Sequence, residues 1–116
     1  KYLNSKDSVL KKFAIRAAGI TKHEPYIHIL IGMITKKEHT KDVIEALKNY
    51  GKPIVQKLYI MNEEEELDEN TRGYIPKILE GFDSRQSMVT LINLLESNDV
   101  LVRLNATKSL KVLKDK

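Results

Sequence analysis

The sequence contains no cysteine and no tryptophan, and only two phenylalanines among its 116 residues. Without cysteine there can be no disulfide, no thiolate zinc site and no cysteine nucleophile. With so few aromatics the core has to be aliphatic, and platforms on which nucleic-acid bases could stack are scarce. Gly19, Gly32, Gly51, Gly73 and Gly81 stand singly, so no glycine-rich loop cradles a phosphate. No Ser/His/Asp arrangement suggests a nucleophilic triad. The longest near-continuous apolar run, Ile27–Ile34, is far too short to cross a bilayer, and no signal-peptide pattern is visible. A soluble, cytoplasmic protein is expected. No segment alternates with period two and β-branched enrichment, so strands are not expected either.

What is present is charge and aliphatic residues. Hydrophobic residues make up 41% and charged residues 31%, a composition that suits a single globular domain. The net charge of +4 is unevenly spread. Residues 1–61 hold twelve Lys/Arg against five Asp/Glu, a local +7, whereas residues 62–116 hold eight against eleven, a local −3. A basic half can attract anionic partners, although a lysine-rich solvated surface has the same composition.

The strongest signal is internal repetition. Asp99, Val102, Arg103, Ala106, Ser109 and Leu110 define a frame: acid at offset 0, apolar at 3, base at 4, small at 7 and 10, apolar at 11. Asp7, Leu10, Lys11, Ala14, Ala17 and Ala18 fit every offset. Asp68, Thr71, Arg72, Ile75, Ile78 and Leu79 fit most of them. Lys36, His39, Thr40, Val43, Ala46 and Leu47 form a degenerate copy without the acid and the base. The frames start at 7, 36, 68 and 99, a period of 29 to 32 residues.

Offsets 3, 7, 10, 11 and 14 share one face of a 3.6-residue helix, so each frame predicts an amphipathic first helix. Second helices follow, with stripes at Ile27, Leu30, Ile31 and Ile34, at Val55, Leu58, Tyr59 and polar Asn62, and at Met88, Leu91, Ile92 and Leu95. About seven helices are expected. Pro25 and Pro53 suit first turns, Ser84 an N-cap, and Gly19 and Gly51 left-handed positions just past first helices.

These residues resemble the HEAT repeat family in its short bacterial form; the Asp99–Val102–Arg103–Ala106–Leu110 string carries the likeness most clearly. The resemblance spans residues 7–116 and departs in the second repeat and at Pro76, which sits inside a first helix and bends it. It implies an all-α architecture, an α-solenoid of about three and a half HEAT-like hairpins forming one stack over residues 1–116. In such a stack Asp7/Lys11, Asp68/Arg72 and Asp99/Arg103 form a structural ladder between repeats. A narrower likeness runs through Ala46–Gly51, Arg72–Leu79 and Leu104–Leu110. It is to the soluble HEAT segment of some membrane proteins related to the nucleotide translocases, and implies a fragment of a longer protein. In agreement, the last frame supplies a first helix with no second, and leaves Leu101, Leu104 and Val112 without an assigned neighbour.

The chemistry-bearing residues give weak signals. His23, His28 and His39 lack metal-ligand spacing and are expected on the surface; the run Glu63–Glu66 with Asp68 and Glu69 reads as a solvated, mobile loop. No catalytic, cofactor or metal site is expected. DNA glycosylase chemistry, known on related folds, would need a groove lined with aromatics that this chain lacks. The expected function is a non-catalytic interaction or regulatory scaffold whose second helices offer His28, Ile29 and Met33, then Gln56 and Lys57, then Val89, Thr90 and Asn93. Met33 and Ile29 are the expected apolar anchors, and the partner is a protein or peptide, or another part of the parent protein. The alternative is nucleic-acid or anionic-surface binding through Lys11, Lys12, Arg16, Lys22, Lys36, Lys37 and Lys41.

Overall fold

A computed structural model describes Leu3 and residues 7–115, and within them the chain is helical with no strand. The helices are α1 (Ser8–Thr21), α2 (Tyr26–Met33), α3 (Thr40–Asn49), α4 (Lys52–Glu63), α5 (Glu69–Arg72), α6 (Ile75–Leu79), α7 (Arg85–Leu94) and α8 (Val100–Lys114). None is long and apolar enough to cross a membrane. Two compact units divide the chain at Gly51, residues 1–51 and 52–116.

The acid at offset 0 turns out to be an N-cap. Asp7 Oδ1 accepts from the Val9 and Leu10 amides at 2.9 and 3.2 Å. Asp68 accepts from Thr71 at 2.8 Å, and Asp99 from Leu101 and Val102 at 2.9 and 3.3 Å. Each carboxylate satisfies amides that a helix start leaves unbonded, worth about 0.5–2 kcal/mol. The Thr71 hydrogen bond also holds the Asp68 carboxyl below its ordinary pKa. The second frame has Lys36 in place of the acid, and its helix starts a turn later, at Thr40. The expected Asp68/Arg72 and Asp99/Arg103 ladder is not how these residues are used. Both aspartates are turned to helix amides, while Arg72 pairs with Glu69 and Arg103 donates to the Ser97 carbonyl at 2.7 Å.

The first unit packs α1 and α2 against α3. Ile15, Ala18, Ile27, Leu30, Ile34, Val43, Ala46 and Leu47 are its core. Gly19 sits within α1 rather than after it, because α1 crosses α3 so closely that a Cβ at Gly19 would lie 2.8 Å from the Ala46 Cα. The left-handed residue that ends α1 is Lys22, φ 56° and ψ 33°, whose amide donates to Ala18. Gly51, with φ 75°, does take the left-handed conformation expected of it. Tyr50 closes the unit: its buried hydroxyl donates to the His23 carbonyl at 2.7 Å, and burial pushes its pKa up. His39, expected on the surface, is buried at offset 3, a core-facing position of the frame, with no hydrogen-bond partner for Nδ1.

In the second unit α4 packs on α7, and α8 packs on both α6 and α7. The third frame's first helix is split into α5 and α6 around Gly73 and Tyr74, since Pro76 has no amide to bond the Arg72 carbonyl one turn earlier. Counting α5 and α6 as the two pieces of one broken helix, the described residues form seven helices, the number expected. On α7 the buried face is Ser87, Thr90, Leu91 and Leu94 rather than the apolar stripe read from the sequence, and Ile92 is exposed. Thr90 can be buried because its hydroxyl donates to the Gln86 carbonyl at 2.8 Å, within its own helix. The glutamate run does not form an extended loop. Glu66 N donates to Met61 O at 2.9 Å and Glu65 adopts φ 56°, a left-handed cap that terminates α4. The α8 core positions Val102, Ala106 and Leu113 are buried, and Leu101, Leu104 and Val112 are exposed as expected.

Candidate functional site

The surface residues proposed from sequence divide between the two units. In the first, α2 starts after Pro25 and carries His28 and Ile29 on its exposed side. Met33, one of the two expected anchors, lies one turn on from Ile29, at the last position of α2, and is buried. Ile27, Leu30, Ile31 and Ile34 fix the core face, and Met33 borders it at the helix end, between Leu30 and the exposed Ile29. Ile29 alone remains as an apolar anchor on this helix. The seven basic residues of the alternative reading all belong to this unit, and only Lys11 is as much as half-buried.

In the second unit Gln56 is exposed and Lys57 half-buried on α4, while Asn93 is half-buried and Val89 exposed on α7. Thr90 is buried and so cannot touch a partner. The two helices run side by side in a fixed register: Gln86 donates to Gln56, and Asn62 Nδ2 donates to Asn93 Oδ1 at 2.8 Å. Arg72 completes this junction. Its Nε donates to Asn62 Oδ1 at 3.1 Å, its Nη2 reaches Asn93 Oδ1 at 3.4 Å, and its Nη1 pairs with Glu69. Glu69 in turn accepts from Ser97 Oγ, which accepts from the Asp99 amide at 3.0 Å. The Ser97 hydrogen bond, with Arg72 adding to it, holds the Glu69 carboxyl below its ordinary pKa. Hydrogen bonding to Glu66 does the reverse at Glu64, raising its pKa.

These residues floor a cleft of about 500 Å³, rimmed by Glu63, Glu65 and Glu96. It is polar, and Arg72 is the one cation among its lining residues. The sequence reading missed it because Asn62 looked like a flaw in an apolar stripe. Its buried side chain is the hub joining α4, α5 and α7. The available signal was spacing, since Asn62 and Asn93 are one period apart. Chemically the arrangement offers hydrogen bonds and negative charge. No group of three or more His, Asp or Glu among the described residues is placed to hold a metal ion.

Compared with protein-family models and with curated proteins, the chain matches none of them.

Proposed function

We propose that the chain is a short α-solenoid of HEAT-like hairpins acting as a non-catalytic interaction scaffold. One observation carries this reading. Hydrogen bonds between segments well separated in sequence cluster around the repeat period of 29 to 32 residues: Tyr50 to His23 spans 27 residues, Gln86 to Gln56 30, Asn62 to Asn93 31, Asn105 to Gly73 32 and Ser109 to Pro76 33. Contacts confined to neighbouring repeats are the mark of a quasi-one-dimensional stack, whose product is surface rather than an enclosed site. The surface that second helices would present to a partner is His28 and Ile29 in the first unit, and Gln56, Val89 and Asn93 in the second. A cytoplasmic protein or peptide is the partner this reading calls for, with a membrane involved only through a longer parent chain.

The test is selection of random peptides displayed on phage against the 116-residue protein. Peptides should emerge whose binding weakens at least tenfold, about 1.4 kcal/mol, in a His28→Ala, Ile29→Asp, Gln56→Ala, Asn93→Ala variant. Failure to enrich any peptide, or ligands indifferent to all four substitutions, would contradict it. A second reading, binding of nucleic acid or another anionic surface, draws on the exposed cations of the first unit. It predicts affinity for a DNA duplex that falls steeply with salt.

A further inference from the structure

Superimposing the four frames exposes an inconsistency at α1. Offsets 3, 7 and 10 are buried in the three later frames: His39, Val43 and Ala46; Thr71, Ile75 and Ile78; Val102, Ala106 and Ser109. In α1 the same offsets are Leu10, 44% exposed, Ala14, partly exposed, and Ala17, exposed. Offset 6 is half-buried in the later frames, at Asp42, Tyr74 and Asn105, whereas Phe13 is 63% exposed. Ile20, one turn on from Ala17, is 75% exposed. Leu10, Phe13, Ala17 and Ile20 follow i, i+3, i+7, i+10, a continuous apolar stripe on the solvent side of α1. Its other side holds Ile15, Ala18 and Gly19 against α3. A helix that is apolar on both faces is one with a second neighbour to meet.

The first unit also shows what covers such a stripe. The offset-10 residue of α3, Ala46, is covered by α1 itself, a helix crossing at backbone contact. The matching occupant of the α1 stripe is therefore another helix. Its charge follows from the helix that carries the stripe: exposed Arg16, three residues from Phe13 and four from Ile20, borders it, with exposed Lys12 one turn before, and every charged residue between Ser8 and Lys22 is basic. A second copy docking through the exposed apolar side of α8 would bring Lys108 and Lys111 against them, like charge on like.

We propose that the stripe Leu10–Phe13–Ala17–Ile20 docks an acidic amphipathic helix of a partner protein, one with apolar residues at i, i+3, i+7 and glutamates or aspartates flanking them. This deepens the scaffold reading and rests on it, placing one partner contact on α1 rather than on the second helices. The probe is a synthetic helical peptide with leucines at that spacing and glutamates elsewhere, titrated calorimetrically into the full chain. A lysine-substituted twin serves as control. One-to-one binding should appear, weaken as salt is raised, and fall at least tenfold in a Phe13→Ser, Ile20→Ser variant; both residues are exposed, so circular dichroism should be unchanged. The lysine twin should bind at least tenfold more weakly.

No binding, equal binding by the twin, or equal binding by the variant overturns the proposal. So does cosedimentation with phosphatidylserine vesicles in the absence of peptide binding, which would make the occupant a membrane surface. Self-association that vanishes in the variant would make it a second copy. Displayed peptides that depend on His28, Ile29, Gln56 and Asn93 but ignore Phe13 and Ile20 would remove this inference and leave the scaffold reading standing.

Discussion

The two units of the molecule use the same repeat frame and hold it together by different means. The first is joined by close apolar contact: Gly19 lets α1 touch the backbone of α3, and Ile15, Ile27, Leu30, Val43 and Leu47 fill the rest. The second is joined by side-chain hydrogen bonds, from Gln86 to Gln56, through Asn62, Asn93 and Arg72, to Glu69 and Ser97. Small-residue contact depends on volume and tolerates no added atom. A polar junction depends on partners, and fails when one member leaves the others unpaired. The charge imbalance falls near the same line, with ten Lys/Arg against five Asp/Glu in residues 1–51 and ten against eleven in residues 52–116. Among the described residues of the first unit most cations are exposed, while the second unit draws Glu65 into a helix cap, Glu69 into an ion pair and Glu63, Glu65 and Glu96 to the rim of a cleft.

The largest expected effect lies in the core that both units share in kind. Leu91→Ala, at a fully buried position of α7, should cost about 2–5 kcal/mol in denaturant melts, whereas Ile92→Ala, its exposed neighbour, should change stability by no more than about 0.5 kcal/mol. Next is the junction of the first unit. Gly19→Val should cost about 1–3 kcal/mol despite the better helix propensity of valine, because the atom it meets is backbone and cannot swing away. A compensating Ala46→Gly should recover part of the loss, a sign of direct contact.

The matching change in the second unit is smaller. Asn62→Ala removes the acceptor of Arg72 Nε and the donor to Asn93, yet both partners are only half-buried and water can reach them; about 1 kcal/mol is expected. The smallest effect is a pH dependence. Glu69 has its folded pKa lowered, so its contribution is complete above the ordinary glutamate value and is lost as pH falls through the lower folded value. Stability of the wild type should therefore exceed that of Glu69→Gln near neutral pH by well under 1 kcal/mol, given that the Glu69 side chain is 46% exposed, and the gap should close as pH falls below the ordinary glutamate range.

The helices and most of the core were legible in the sequence because periodicity records which residues must leave water. The frame at 7, 36, 68 and 99 located every first helix, and the stripe Ile27–Ile34 was buried as read. What periodicity could not supply was the reason for the other conserved offsets within the chain. The aspartates looked like half of an ion pair and are N-caps, because a carboxylate at a helix start meets free amides before it meets a basic side chain four residues on. Gly19 looked like a terminator and is a contact, which only the position of α3 reveals. Thr90 and Met33 looked available because polarity or flexibility was taken for exposure; Thr90 satisfies its own hydroxyl, and Met33, at the border of the apolar face, is buried all the same. His39 looked like a surface residue because its polarity was weighed above its place at offset 3 of the frame. The cleft around Asn62 depends on three elements meeting, and no one of them announces it.

The central claim is that helices one period apart lie side by side in register. It can be tested chemically, because the natural chain has no cysteine to interfere. A Gln56→Cys, Gln86→Cys variant treated with a short bis-maleimide should cross-link within the chain, at monomer mass and with unchanged helicity. A Gln56→Cys, Asn98→Cys control should not, since Asn98 lies beyond Asn93, which itself pairs with Asn62 at the far end of α4. Equal cross-linking of both variants, or linkage only between chains, would contradict the register and with it the reading of the molecule as stacked repeats.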